Sequence, residues 1–346
     1  MGAVMQSHIA RLTPQMLYYT EQLYEDGKLR WLPYVMYFQP ENHRSDIVNT
    51  DRLGFRVSSN GTRESSVAGS RPAGSANVLV GGSTVFGVGA TTDDSTVPSR
   101  LWSKYSPEHV WVNFGGRAHN SAQELVNFLL HRHLLPEIRN IVLLSGLNNL
   151  GLARLPLPVR GEHGAFYHCS EFNEIMYERH RPPRPSALSQ ILRRDQKAPP
   201  SKHVAPPVPP AAEQIEIATD LTLRHLGSWQ LLADALGATL SFAFQPLATW
   251  VRDRPAPQEQ LLFDELDEVF SFRQAYGDIV PRQVGRSYAT ALRAGCERLG
   301  IPFMDLSPLI ADAAAPDDWL FVDRAHLTDL GHDFVAALLA RHLDLR

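Results

Sequence analysis

Long apolar runs are missing from the 346-residue chain, where no stretch of 18 apolar residues occurs, so a membrane-spanning helix is not expected. Cysteine is scarce as well. Cys169 and Cys296 are the only two, too few for a disulfide framework or a four-cysteine zinc site. Neither sign of charge prevails: 33 Lys and Arg stand against 37 Asp and Glu, a net charge of −4. No general attraction to nucleic acid or to an anionic lipid surface follows from that balance. Met1 to Gln15 holds no apolar stretch of signal-peptide length, and no internal repeat at solenoid spacing is found. What is present is an ordinary globular composition, 44% hydrophobic and 20% charged, too apolar for a wholly disordered chain. The length suffices for one large α/β domain or two modest ones. The expectation is a soluble, cytoplasmic protein of a reducing compartment, whose partners must be read from motifs because composition names none.

Residues 1–75 read as an N-terminal extension packing on the core. Leu12 to Leu32 suggests an amphipathic helix, a Tyr/Pro-rich stretch runs from Trp31 to Pro40, and 58–75 is a Ser/Gly/Arg-rich surface loop. From residue 76 onward strands and helices alternate. Short apolar runs at Ala76–Val80, Val110–Val112, Ile141–Leu144, Thr239–Phe244 and Pro302–Met304 predict five buried strands. Helical patterns lie between and after them, at about 94–105, 121–134, 211–237, 283–299 and 328–342. Such alternation predicts a doubly wound, mainly parallel five-stranded sheet with helices on both faces, over residues 76–346. Residues 151–210 interrupt it. They hold 11 of the chain's 25 prolines and read as an insertion over the surface, either a lid or a polar excursion without function.

Ligands of such sheets bind beyond the carboxyl ends of the strands, and four motifs fall there or close to the C-terminus. Gly81-Gly82-Ser83 follows strand one; its glycines permit a sharp turn that exposes the hydroxyl. It is neither a phosphate loop, since no Gly-Lys-Ser/Thr follows, nor a dinucleotide fingerprint, since Gly87-Val88-Gly89 lacks the third glycine. Asn113 to Ser121 after strand two includes Gly115, Gly116, Arg117, Ala118 and His119, a tight loop suited to aiming N–H groups at an anion. Its end also offers a helix cap at Asn120 or Ser121, with Glu124 completing a capping box. Ser145-Gly146-Leu147-Asn148-Asn149 follows strand three and supplies side-chain amides. In Asp323-Arg324-Ala325-His326 a carboxylate three residues before a histidine can hold Nδ1–H and free Nε2 as a base. His332 reads as structural. His131-x-His133 does not share a helix face, and His168-Cys169 lacks further ligands, so no metal and no cofactor are expected.

These motifs, in this order, resemble the SGNH (GDSL-like) hydrolase family over about residues 76–150 and 211–342. The resemblance implies the flavodoxin-like α/β fold of that family, with Ser83 as nucleophile, His326 as base and Asp323 orienting it. It further implies Asn148 and the N–H of Ser83 as oxyanion donors. The family's Asn-x-Gly-x-x-Gly reads Asn113-Phe114-Gly115-Gly116-Arg117-Ala118, which puts the third donor on Ala118 if its φ is negative, or on Gly116 if the loop is shifted. Two other positions depart: Gly82 stands where the family has an acid, and Asn149 where it has an aspartate. The stretch Asn49-Thr50-Asp51-Arg52-Leu53-Gly54-Phe55-Arg56 resembles leader segments of SGNH proteins from bacterial polysaccharide and secondary-metabolite pathways. Arg56, Arg117, His119 and Asn149 are candidate substrate contacts.

The expected activity is serine-dependent hydrolysis of an acyl ester, on a small ester or an acylated sugar or metabolite. Two other functions fit the same residues: an acyltransferase using the same acyl-serine chemistry, and a non-catalytic binding module of the same fold.

Overall fold

The computed structural model describes residues 7–23, 30–32, 34–69, 74–155, 160, 208–269 and 276–345. Five strands form its central sheet: β1 (Ala76–Gly81), β2 (Val110–Gly115), β3 (Ile138–Ser145), β4 (Thr239–Phe244) and β5 (Phe303–Asp305), in the order β2-β1-β3-β4-β5. Every pairing is parallel. The strands read as unbroken apolar runs because helices cover both faces, and all six residues of β1 and of β2 are buried. The strand order reverses its direction between β1 and β3, which places the crevice for a ligand outside their carboxyl ends. Gly81 pairs with Gly115 on one side and Leu144 on the other, so the loops after β1, β2 and β3 leave the sheet at one level.

Helices follow the strands: α1 (Ser83–Phe86), α2 (Val97–Arg100), α3 (Ser121–His131), α4 (Leu147–Ala153), α5 (Ala211–Leu236), α6 (Ala248–Val251), α7 (Pro257–Val269), α8 (Arg282–Leu299), α9 (Leu306–Ala313) and α10 (Asp329–His342). They group into two layers: α5 packs on α3, α4 and α8, while α10 packs on α2 and α9. The long helices α5 and α8 both stop at a glycine in the left-handed region, Gly237 and Gly300. No described helix is long and apolar enough to cross a membrane.

Leu12 to Leu32, expected to contain an amphipathic helix, is helical over residues 14–22, while residues 24–29 lie outside the described residues. A separate turn at His8–Leu12 ends at Thr13, and Pro14–Leu17 then continues into a wider turn over Tyr18–Gln22. Pro14 is the reason, since its ring cannot continue a helix but can begin one. The expected helix over 94–105 is interrupted at Thr96, whose backbone is extended after a 3₁₀ turn at Asp93–Ser95. It resumes as α2, with Pro98 in its first turn, continuing into a wide turn at Leu101–Tyr105. Two small antiparallel hairpins lie between these segments, Arg30–Leu32 with Met36–Phe38 and Ser58–Ser59 with Glu64–Ser65. Val35, Phe38, Phe55 and Val67 join the main core. A second core joins Met16, Tyr19, Leu23 and Val48 to Phe86 and Val88 beyond β1 and to Val322 near the C-terminus. Of the expected insertion 151–210, residues 156–159 and 161–207 lie outside the described residues, and His168-Cys169 with them.

Candidate active site

Strand β1 delivers Ser83 through two glycines whose backbones have close neighbours. A Cβ on Gly81 would stand 2.2 Å from the Leu144 carbonyl oxygen, and one on Gly82 would stand 2.6 Å from the Asn148 side-chain nitrogen. Gly82 thus leaves room for the Asn148 amide. Ser83 then opens a helix of a single turn, closed by Phe86 N–H on the Gly82 carbonyl at 3.0 Å and Gly87 N–H on the Ser83 carbonyl at 2.9 Å.

His326 arrives from the other end of the chain, 243 residues away in sequence. An antiparallel bridge between Phe321 and Leu327, and Val322 N–H on the His326 carbonyl at 2.9 Å, pinch the intervening residues into a tight loop. Inside that loop Asp323 Oδ1 accepts the N–H groups of Ala325 and His326, both at 2.8 Å. Its Oδ2 lies 2.7 Å from His326 Nδ1, and His326 Nε2 lies 2.8 Å from Ser83 Oγ. An ionised carboxylate only accepts, so Nδ1 carries the ring proton and Nε2 faces the serine as an acceptor. Burial alone would raise the pKa of Asp323. The facing His326 and the hydrogen bonds to its carboxylate outweigh that and hold it below the usual carboxylate range. The side chains of Asp323 and His326 are 21% and 22% exposed, enough for a ligand to reach the ring.

The loop after β2 lies beside the serine. A turn closed by His119 N–H on the Gly116 carbonyl at 3.1 Å carries Ala118 at φ +56°. The condition set for Ala118, a negative φ, is not met: the alanine holds a left-handed conformation that glycine adopts without strain. The alternative donor Gly116 needs correcting, because its N–H is already given to the Gly81 carbonyl at 3.0 Å. Gly116 instead admits the His119 ring, whose Nδ1 would stand 2.0 Å from a Cβ there. Asn148 donates one amide hydrogen to the His119 carbonyl at 2.7 Å and keeps a second. The N–H of Ser83 heads its helix, where no preceding turn can accept it. Among the described residues, neither that group nor the Ala118 N–H donates a hydrogen bond.

The four candidate substrate contacts all lie inside the protein, which corrects that expectation. Arg56 is fully buried and paired with Asp93 at 2.6 Å. Buried Arg117 donates to the Tyr19 carbonyl at 3.0 Å. His119 is buried with Nε2 3.2 Å from the Tyr37 carbonyl, and burial pushes its pKa down to about 4, so the ring stays neutral. Buried Asn149 accepts from Ser121 N–H at 3.0 Å and donates to Thr222 Oγ1 at 2.6 Å. The cap of α3 is Asn120, and its capping-box partner is Gln123, not Glu124. Three further residues matter that the sequence does not mark: Asp93, which receives Arg56, and Tyr19 and Tyr37, which donate to the Gly87 and Arg117 carbonyls. No local pattern singles them out, since each partner is remote in sequence. Among the described residues, no three His, Cys, Asp or Glu side chains gather where they could hold a metal ion.

No protein-family model and no curated protein matches the chain. Solved structures of similar fold include an extracellular lipase from Streptomyces rimosus, 12% identical, with 78% of this chain and 100% of that one covered at a TM-score of 0.43. A GDSL-like lipase from Bacteroides thetaiotaomicron is 14% identical, with 80% and 91% covered at a TM-score of 0.42. A carbohydrate acetylesterase family member from Sinorhizobium meliloti is 12% identical, with 78% and 96% covered at a TM-score of 0.38.

Proposed function

We propose that this protein is a serine-dependent acyl-ester hydrolase that works through Ser83, His326 and Asp323. The observation that carries the reading is the unbroken chain from Ser83 Oγ to His326 Nε2 at 2.8 Å and from His326 Nδ1 to Asp323 at 2.7 Å. A hydroxyl so placed is activated by its base, and the base is oriented by a third group. Ser83 Oγ attacks the ester carbonyl carbon while its proton passes to His326 Nε2. Asp323 stays ionised and stabilises the imidazolium. The oxyanion is met by the N–H of Ser83 and by the second amide hydrogen of Asn148, and the Ala118 N–H, which donates to no other group among the described residues, is the candidate third donor. Collapse breaks the ester C–O bond, and His326 returns the proton to the leaving alcohol. Water then repeats the sequence on the acyl-serine, releasing the acid and restoring Ser83. No step requires a metal or an organic cofactor.

The substrate class is a small acyl ester or an acylated sugar or metabolite. Intact-mass measurement after treatment with a fluorophosphonate tests the reading. One adduct is expected on the wild type, none on Ser83→Ala, and slower formation on His326→Ala. A panel of acyl donors with alcohols and amines then separates hydrolysis from acyl transfer. Absence of any adduct on folded wild type, together with ligand binding that survives Ser83→Ala, would make the protein a binding module instead.

A further inference from the structure

The helix that presents Ser83 cannot hold itself. A single turn fixes several dihedrals for very few hydrogen bonds, and the carbonyls at its C-terminal end lack helical partners. Those carbonyls are met by a residue from far away. Arg56 Nη1 donates to the Phe86 carbonyl at 3.2 Å and to the Gly87 carbonyl at 2.9 Å. A cation at a helix C-terminus also complements the backbone dipoles. The guanidinium lies over the Phe86 ring at 5.5 Å and the Tyr19 ring at 5.7 Å.

The sequence Asn49 to Arg56 is built to present that arginine. Thr50 and Arg56 form an antiparallel bridge, and Val57 N–H closes on the Asn49 carbonyl at 2.9 Å, which ties the two ends of the segment together. Asp51 Oδ1 accepts from Leu53 and Phe55 N–H at 2.8 and 3.1 Å inside the turn. Gly54, at φ +92°, supplies the one conformation other residues resist. Both presented side chains converge on Asp93, which takes Arg56 Nε at 2.6 Å and Asn49 Nδ2 at 2.7 Å. Arg56 Nη2 reaches the Ile47 carbonyl at 2.7 Å, and Nη1 reaches the Tyr19 hydroxyl at 2.8 Å. That hydroxyl lies 2.9 Å from both the Gly87 and the Ala90 carbonyl oxygens, to which its O–H donates. Phe86 and Val88 share their apolar cluster with Val322, the neighbour of Asp323. The network therefore grips the serine turn on the side where the histidine loop rests.

We infer that Arg56 is a positioning residue for Ser83: with Asp93 and Tyr19 it fixes the catalytic turn at attack distance from His326. This inference rests on the proposed role of Ser83 as nucleophile. Its consequence is that loss of the network slows attack by Ser83 without weakening ligand recognition.

The test measures the rate of fluorophosphonate inactivation, with its saturation constant resolved from its maximal rate, on wild type and variants, each alongside its melting temperature. The paired change Arg56→Met with Asp93→Asn removes both buried charges together, so that neither is left alone. Arg56→Lys keeps the charge but not the planar fork, and Tyr19→Phe removes only the hydroxyl. Leu292→Ala, in the buried core on α8, controls for lost stability. Displacement of a nucleophile by about 1 Å costs roughly 10²-fold, so the paired variant is expected to lose about that factor in maximal rate at an unchanged saturation constant. Arg56→Lys is expected to recover part of the loss and Tyr19→Phe to show a smaller one, while Leu292→Ala melts lower at the wild-type rate. Should the paired variant not fold, slowed maximal rates in Arg56→Lys and Tyr19→Phe support the positioning role in its place. If folded variants match wild type in maximal rate, or slow only as much as Leu292→Ala, the positioning role is overturned while Ser83 stands. If the wild type itself is not labelled at Ser83, the nucleophile reading falls and the positioning role with it.

Discussion

Beyond the end of β1, Ser83, His326 and Asp323 form a chain of hydrogen bonds; near the end of β3 the same residue types recur as Ser145, Ser121, His225 and Glu124. The second group lines a small cavity with Thr222 and Trp229. Ser145 Oγ donates to Glu124 at 2.7 Å, and Ser121 Oγ lies 2.7 Å from His225 Nδ1. The difference lies in the wiring and in the solvent. Asp323 faces its histidine directly and is held ionised. Burial pushes Glu124 up to about 8, with the Ser145 hydroxyl offsetting only part of it, so Glu124 is a neutral acid at pH 7. In the second group the carboxyl group is bonded to one serine, Ser145, and the imidazole faces another, Ser121, which also exchanges hydrogen bonds with Asn149. Residue types alone do not make a relay; contact order and access do.

The comparison breaks most sharply at the serines. Ser83→Ala is expected to lower kcat on an activated ester by on the order of 10⁶-fold, whereas Ser145→Ala leaves it within a few-fold. Comparable losses at both positions would show that the β3 group takes part in the chemistry. The carboxylates come next. Asp323→Asn leaves the geometry but favours the wrong ring tautomer, with an expected loss of about 10⁴-fold in kcat. Burst kinetics on a chromogenic ester would measure it, and a loss below tenfold would remove Asp323 from the relay. Asn148 sits where the two regions meet, one residue before Asn149 of the polar group. Asn148→Ala removes one oxyanion donor and is expected to cost about 10²–10³ in kcat. A change confined to KM would instead make Asn148 a ground-state contact.

Much of the architecture is legible in the sequence because it rests on local signals. Strand β4 is legible over its full extent, 239–244, since its apolar run is bounded by Gly237-Ala238 and by Gln245-Pro246. Ser83 and the Asp323–His326 pair are legible for the same reason, each being a short pattern at a strand end or within one turn. Helix α7 is not; its apolar residues are few among acids, and buried Glu259 is drawn inward by Arg252 at 2.7 Å. The state of Gly116 depends on the Gly81 carbonyl across the sheet, and that of Arg56 on Asp93 and on a helix end. No periodicity encodes such partners. The left-handed Ala118 is likewise illegible, since alanine gives no sign of a positive φ.

The smallest effect concerns Glu124 and is read in stability. Its carboxyl moves from an ordinary 4.5 in the unfolded chain to about 8 in the fold. Between those pH values the folded protein holds a proton that the unfolded chain has released. Stability from this group is therefore complete below about pH 4.5 and falls as pH rises through the folded pKa near 8. The slope is at most about 1.4 kcal/mol per pH unit. Glu124→Gln keeps the shape and an acceptor for Ser145 but does not titrate. Urea unfolding of both proteins across pH 4 to 9 should show wild type losing ground to Glu124→Gln through the window and running parallel outside it. Asp323 predicts the opposite sign, since its lowered pKa adds stability above the ordinary carboxylate range that is lost as pH falls. Parallel curves for wild type and Glu124→Gln at every pH would mean that Glu124 is ionised in the fold, and the contrast between the two carboxylates would collapse.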